Sequence, residues 1–425
     1  MRRVAYALYI LLVTLIVLFT AIFTRSETDY SEHVFPYTYG LGPISSIEIL
    51  VIGSLFALAG TRAFHVGKYA KHIGAYALAI TVGAMVGLGS DNGTLREIVG
   101  ECRYMVYLIP AYLLTVNLVQ TQNAATKLVR YVAVLVTIKS LIAIYRYVND
   151  IGYVYGPFVR VYVDTADFTL LVCFLGSAVY AFLNNQKWTV AAVLSTTLVT
   201  AAIIVTYSRA AWAAAAFTVV ALAAVSRWSH RIVVSIGVVI LLVVLGQATN
   251  VSEPLSARLA GTLDPDQDST TSYRLTEYSL AMAAVSERIV VGRGFRGGFA
   301  DKGVVDARTD TRLVHNNIIW VWLKMGILGV FAYIWLLGGA LIDSSRALVR
   351  LRARVWSGRP IAAAAAFLIA YSVVSMVGNL LGHVRDNILL GVSLGLCSVC
   401  VSTDVVMGAH GSSWQRTSVR KRPIG

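Results

Sequence analysis

Residues 314–342 read VHNNIIWVWLKMGILGVFAYIWLLGGALI. A polar stretch ends in His315-Asn316-Asn317, and an apolar run from Ile318 to Ile342 follows with Lys324 as its one charge. At a rise of about 1.5 Å per residue, such a run can cross a hydrocarbon layer of about 30 Å as a helix. Similar runs recur from one end of the chain to the other. Only 14% of the 425 residues are charged and 57% are hydrophobic, with a mean hydropathy of +0.69. A soluble domain carries about a quarter charged residues. The runs are continuous rather than alternating, which excludes a β-barrel. The expected fold class is an all-α polytopic membrane protein.

Twelve spans are expected: Val4–Phe23, Ile44–Phe64, Ile73–Gly89, Tyr104–Val119, Leu128–Val148, Ala166–Leu183, Trp188–Val205, Ala210–Val225, Ile232–Leu245, Ile318–Ile342, Ile361–Leu381 and Asn387–Val406. The first follows Arg2 and Arg3 like a signal peptide. It is too long for a typical signal core and lacks a small-residue cleavage site, so it reads as a retained span. Basic residues gather between alternate runs: Arg62 with Lys68 and Lys71, Lys127 with Arg130, Lys187, Arg227 with Arg231, Arg346 to Arg359, and the tail Arg416 to Arg422. Intervening loops hold mixed charge, such as Asp264-Pro265-Asp266-Gln267-Asp268. This alternation is the positive-inside pattern. It accounts for the net charge of +14 without nucleic acid and puts both termini in the cytoplasm. No 20–50-residue repeat is visible, so nothing indicates an inverted-repeat transporter. Cys397 and Cys400 form a C-x-x-C inside an apolar run, where the spacing merely shares a helix face.

The organisation expected is spans in 1–247, a long outer loop in 248–315, and further spans with a basic tail in 316–425. Within the loop, Leu275, Tyr278, Met282, Val285 and Ile289 recur at helical steps and describe an apolar stripe, headed for the membrane interface or the mouth of the bundle. The hydroxyls of Ser269 to Ser272 offer an N-cap. Gly292-Arg293-Gly294-Phe295-Arg296-Gly297-Gly298 follows, its glycines permitting tight turns. No strand precedes it, so a dinucleotide site is rejected.

Three groups could carry chemistry at the outer face. Arg209 ends an apolar run at a boundary where cations are scarce, and snorkelling to lipid phosphate is its alternative. Arg274, Arg288, Arg293 and Arg296 share the loop, either as an anion site or as a solvated surface paired with Glu277, Glu287 and Asp301. His315 closes the loop. Guanidinium forks suit pyrophosphate, and a neutral imidazole suits proton abstraction from a hydroxyl. No carboxylate–histidine spacing points to a metal, and no cofactor is implied. Arg103, His383 and Arg385 are second-tier candidates, with helix-end ion pairing as their plainer account.

Tyr207-Ser208-Arg209-Ala210-Ala211-Trp212, then Tyr273-Arg274-Leu275, then Val290-Val291-Gly292-Arg293-Gly294-Phe295, then His315-Asn316-Asn317 and Trp322 to Gly329 resemble, in this order, the O-antigen ligase and polymerase superfamily. The resemblance implies a metal-independent, inverting glycosyltransferase of the bacterial inner membrane. Its donor would be a glycan on undecaprenyl pyrophosphate and, in the ligase branch, its acceptor lipid A–core. By motif, His315 would be the general base, and Arg209 and Arg274 would hold the pyrophosphate, with Arg293 and Arg296 able to join them. Leu313-Val314 stands before the histidine where relatives commonly carry a polar pair. The histidine shows no clear acidic partner. A polymerase joining two lipid-linked units and a protein-directed oligosaccharyltransferase remain open. A non-enzymatic lipid or solute transporter would instead show charges buried mid-span and broken helices.

Overall fold

The computed structural model describes residues 1–23, 40–41, 44–60, 64–90, 93–151, 153–155, 158–161, 165–184, 189–226, 269–299, 312–351 and 359–418. The expected span Ile232–Leu245, the acid-rich Asp264–Asp268, Asp301 and the end of the basic tail lie outside these residues.

The helices are α1 (Arg2–Phe23), α2 (Ser46–Ala59), α3 (Ala70–Gly89), α4 (Leu95–Val106), α5 (Leu108–Leu118), α6 (Gln122–Val148), α7 (Thr165–Leu183), α8 (Val190–Val205), α9 (Arg209–Ala224), α10 (Ser269–Glu287), α11 (Asn317–Leu351), α12 (Arg359–Ser375) and α13 (Val384–Ser418). Among the described residues the strands form two small antiparallel hairpins, β1 (Gly40–Leu41) with β2 (Ile44–Ser45) and β3 (Tyr153–Tyr155) with β4 (Phe158–Arg160). Among the described residues five helices are long and apolar enough to cross a membrane: α3, α6, α7, α11 over Asn317–Arg350 and α13 over Val384–Ser402. The chain is a multi-pass helical membrane protein.

Helix starts follow side-chain capping. Ser45 with Glu48 and Thr94 with Glu97 form reciprocal capping boxes, and Ser208 caps α9 by accepting from the Ala211 N–H. Helix α13 is the axis of the bundle. All of Val384–Val401 is buried, against 33% of the spanning windows of α3 and α6. It packs on α5 and α12. Helix α12 in turn packs on α7, α9 and α11.

Three expected spans are corrected. Tyr104–Val119 is not one helix but α4 and α5, which meet at Tyr107. Ile361–Leu381 loses its last turn, because α12 ends at Ser375. Ile318–Ile342 is broken at Gly326, whose φ of 65° and ψ of −167° lie in a region essentially restricted to glycine. The break is filled by neighbouring chain: the Ile327 N–H donates to the Ile289 carbonyl and the Arg293 N–H donates to the Leu323 carbonyl.

Charges also lie inside the bundle, where most positions were expected to be apolar; with the break at Gly326 these are the two features set out above for a transporter, but here each charge is paired and the break is closed by hydrogen bonds. Lys139 of α6 and Arg385 of α13 both bind the Asp167 carboxylate of α7, and all three are buried. Lys139 donates further to the Val17 carbonyl and Arg385 to that of Ile16. Lys324 of α11, fully buried, pairs with Glu101 of α4 at 2.8 Å. Burying a charge is tolerable when it is paired and hydrogen-bonded, which is the condition met here. These charges lock helices together.

Candidate active site

Helix α10 carries the acidic and basic groups of the site. Its inward face is Glu277, Ala281, Ala284 and Val285, all buried, so the small alanines bring α10 close to α11. The apolar stripe expected from the sequence is therefore split. Val285 packs inward, while Leu275, Met282 and Ile289 stay exposed. A buried carboxylate occupies the face that hydrophobicity alone assigned to apolar residues.

That carboxylate faces His315. Glu277 Oε2 lies 2.8 Å from His315 Nδ1, and Glu277 Oε1 accepts the His315 backbone N–H. The Glu277 side chain is 1% exposed and the imidazole is 44% exposed. The Tyr278 hydroxyl donates to the His315 carbonyl at 2.6 Å, and burial raises its pKa, so it remains a donor. The Tyr273 ring stands edge-on to the imidazole at 6.4 Å. A carboxylate accepts hydrogen bonds, so the contact suits the tautomer with its proton on Nδ1, which in a neutral imidazole leaves the Nε2 lone pair for a substrate. The expectation that the histidine has no acidic partner is overturned. Glu277 was read as a surface partner of the loop arginines because a 38-residue separation hides its contact with His315.

The two asparagines set the histidine's height. Asn316 Oδ1 accepts from the Ile318 and Ile319 N–H groups and starts α11, while its amide donates to the Met376 carbonyl after α12. Asn317, fully buried, accepts from the Leu380 and Leu381 N–H groups and donates to Tyr333. The His-Asn-Asn sequence thus ties the loop exit to the turn between α12 and α13.

Arg274 lies one turn before Glu277 on α10, half-buried, and its charge acts on the Tyr278 hydroxyl. Among the described residues it forms no ion pair. Arg209 opens α9 directly after a tight turn. Tyr207 there takes φ 48°, a left-handed conformation costly for a non-glycine residue, and is 1% exposed. Its hydroxyl lies 3.1 Å from that of Tyr147 at the end of α6. This buried anchor fixes where Arg209 leaves the bundle.

The other candidates have structural partners. Arg293 pairs with Glu287 at 2.5 Å and donates to the Gly298 carbonyl. Arg296 pairs with Glu97 at 2.8 Å, and its backbone N–H donates to Glu101. The glycine-rich turn lies against α3: the Phe295 N–H donates to the Gly83 carbonyl, and a Cβ on Gly294 would stand 2.3 Å from the Gly87 nitrogen. Lys324 completes the clamp by donating to the Gly297 carbonyl. Arg103 lies 3.8 Å from Glu48 and 5.5 Å from the Tyr104 ring. His383 is exposed in the turn before α13, and Arg385 is the buried partner of Asp167 described above. Ion pairing, the plainer reading of Arg385, is what the bundle uses it for. Among the described residues no group of three metal-ligating side chains forms.

The segment from the start of α8 into α11, residues 190–334, matches the family model described as O-antigen ligase. Over this segment, about a third of the chain, the protein is similar to the O-antigen ligase/polymerase superfamily. No curated protein matches the chain. The matched segment contains Arg209, Arg274, Glu277 and His315 together with the glycine-rich clamp. Members of that family are glycosyltransferase-like enzymes that act on lipid-linked glycans.

Proposed function

We propose that the protein is an inverting, metal-independent O-antigen ligase of the bacterial inner membrane. It would move a glycan from undecaprenyl pyrophosphate to a sugar hydroxyl of lipid A–core at a periplasmic site. The observation that carries this reading is the imidazole of His315, held by buried Glu277 one helical turn from Arg274.

The acceptor hydroxyl oxygen attacks the anomeric carbon from the face opposite the pyrophosphate. The new C–O bond forms as the bond to pyrophosphate breaks, and configuration inverts. The hydroxyl proton passes to His315 Nε2, while Glu277 balances the imidazolium charge through Nδ1–H. The departing pyrophosphate is a stable anion that needs no proton. Arg274 and Arg209 would hold it bidentately and meet the charge that grows on it. Arg293 and Arg296 already have carboxylate partners, so their part is to hold the turn, and a pyrophosphate would have to displace Glu287 or Glu97 to recruit them. The alternating basic clusters support cytoplasmic termini and an outward site.

The test is transfer by purified protein from undecaprenyl-pyrophosphate-linked glycan to lipid A–core, with and without chelator. Chelator-resistant glycosylated core, lost in His315→Ala, is the expected result. Elongated lipid-linked glycan with unmodified core would replace the ligase reading by a polymerase. No transfer by folded protein to either acceptor would reopen the transporter class.

A further inference from the structure

The outward surface of α10 is divided by polarity, and the division runs along the helix. One edge carries Leu275 and Met282 and continues to Ile289 in the following turn, with exposures of 59%, 41% and 50%. The other edge carries Thr276, Ser279 and Glu287, also exposed. The inward face is the buried one that holds Glu277. A helix in bulk water gains nothing from an apolar edge. A helix lying along a membrane surface requires one, with small polar residues on the side turned to water.

The apolar edge also leads somewhere. Ile289 is joined by its carbonyl to the Ile327 N–H and to the Trp322 indole N–H of α11, both at 3.0 Å. From that point α11 presents Ile327, Leu328, Phe331 and Ile334 outward at helical spacing, on a helix long and apolar enough to span a bilayer. On the other side, the Arg288 guanidinium donates to Ser90 Oγ at the C-terminal end of spanning helix α3. The exposed edge of α10 is thus continuous with the lipid-facing stripe of one spanning helix and pinned at the end of another. Arg288 stands where a cation meets lipid phosphate.

We infer that α10 is an interfacial helix whose Leu275–Met282–Ile289 edge lies in the acyl region of the outer leaflet, with its Ser/Thr edge in water. The membrane itself is the occupant of this face. If the ligase reading holds, Arg274 and His315 then stand at the depth of lipid phosphates, where a lipid-linked pyrophosphate would arrive without leaving the bilayer.

The experiment places a bimane label at Met282→Cys and, separately, at Ser279→Cys in full-length protein in nanodiscs. Quenchers are aqueous iodide and phospholipid carrying a nitroxide high on its acyl chain, and wild-type protein carried through the labelling sets the background. The expected result is at least twofold stronger lipid quenching at 282 than at 279, with iodide showing the reverse order. Equal iodide quenching at both positions would overturn the inference. So would protection of 282 from both quenchers, which would mean that protein covers the face. Neither measurement depends on transfer activity, so this inference and the ligase reading can fail separately.

Discussion

Replacing Glu277 by glutamine is the most direct challenge to the proposed chemistry. The carboxylate contacts His315 twice, through the ring Nδ1 at 2.8 Å and through the backbone N–H. Glutamine keeps the size and one acceptor, but its amide carries protons where an oxygen now accepts. The imidazole is then driven to the tautomer whose proton sits on Nε2, the nitrogen needed as base. The negative charge that would balance the imidazolium is lost as well. Two unit charges about 4 Å apart interact by about 4 kcal/mol at an effective dielectric constant of about 20. Solvent on the exposed side of the ring reduces this. At about 1.4 kcal/mol per decade, kcat should fall on the order of 10²- to 10³-fold. The donor KM should change little, since Glu277 acts through His315 and touches no pyrophosphate. The assay is single-turnover glycan transfer in nanodiscs, with insertion and thermal stability checked in parallel. Glu277→Gln combined with His315→Ala should be no slower than His315→Ala alone, because the two act as one unit. Transfer by folded Glu277→Gln within threefold of wild type would refute the pairing as a catalytic device.

Arg209→Lys should lower kcat/KM for the donor on the order of 10- to 100-fold, since lysine keeps the charge but loses the planar fork; donor titration of initial rates checks this. Lys324→Met leaves Glu101, 12% exposed and still accepting the Arg296 N–H, without its cation; since breaking a fully buried pair typically costs about 3–5 kcal/mol and Glu101 keeps some solvent, the melting temperature should drop by less than that implies, with part of the loss recovered in Lys324→Met/Glu101→Gln. The Glu97 carboxyl is held below the ordinary carboxylate range by the Thr94 backbone N–H, then by the Thr94 hydroxyl and the charge of Arg296. A lowered pKa contributes stability that is present above the usual glutamate value and lost as pH falls through the depressed one. Amide protection across residues 292–299, taken relative to the intrinsic exchange rate at each pH, should therefore stay high at neutral pH and fall in that acidic window, and less so in Arg296→Ala.

The sequence by itself determined the membrane class, most helix positions and the order of the arginine and histidine motifs. Hydropathy and capping are local properties: Thr94 with Glu97, or the apolar run before Arg209, can be read within a few residues. The transverse partners were decided only by the tertiary structure. Glu277 meets His315 across 38 residues, Lys324 meets Glu101 across the bundle, and Arg385 meets Asp167 across 218. From the sequence Glu277 reads as a surface partner and Arg385 as a helix-end one, because periodicity gives a helix its faces but not the neighbour each face will have. The same limit explains the split stripe of α10. Its buried face was chosen by the close approach that Ala281 and Ala284 allow and by the bonds Glu277 makes to His315, not by hydrophobicity along the helix. Gly326 shows it again, since the backbone break there is made good by hydrogen bonds from residues 289 to 293, which only the fold brings alongside.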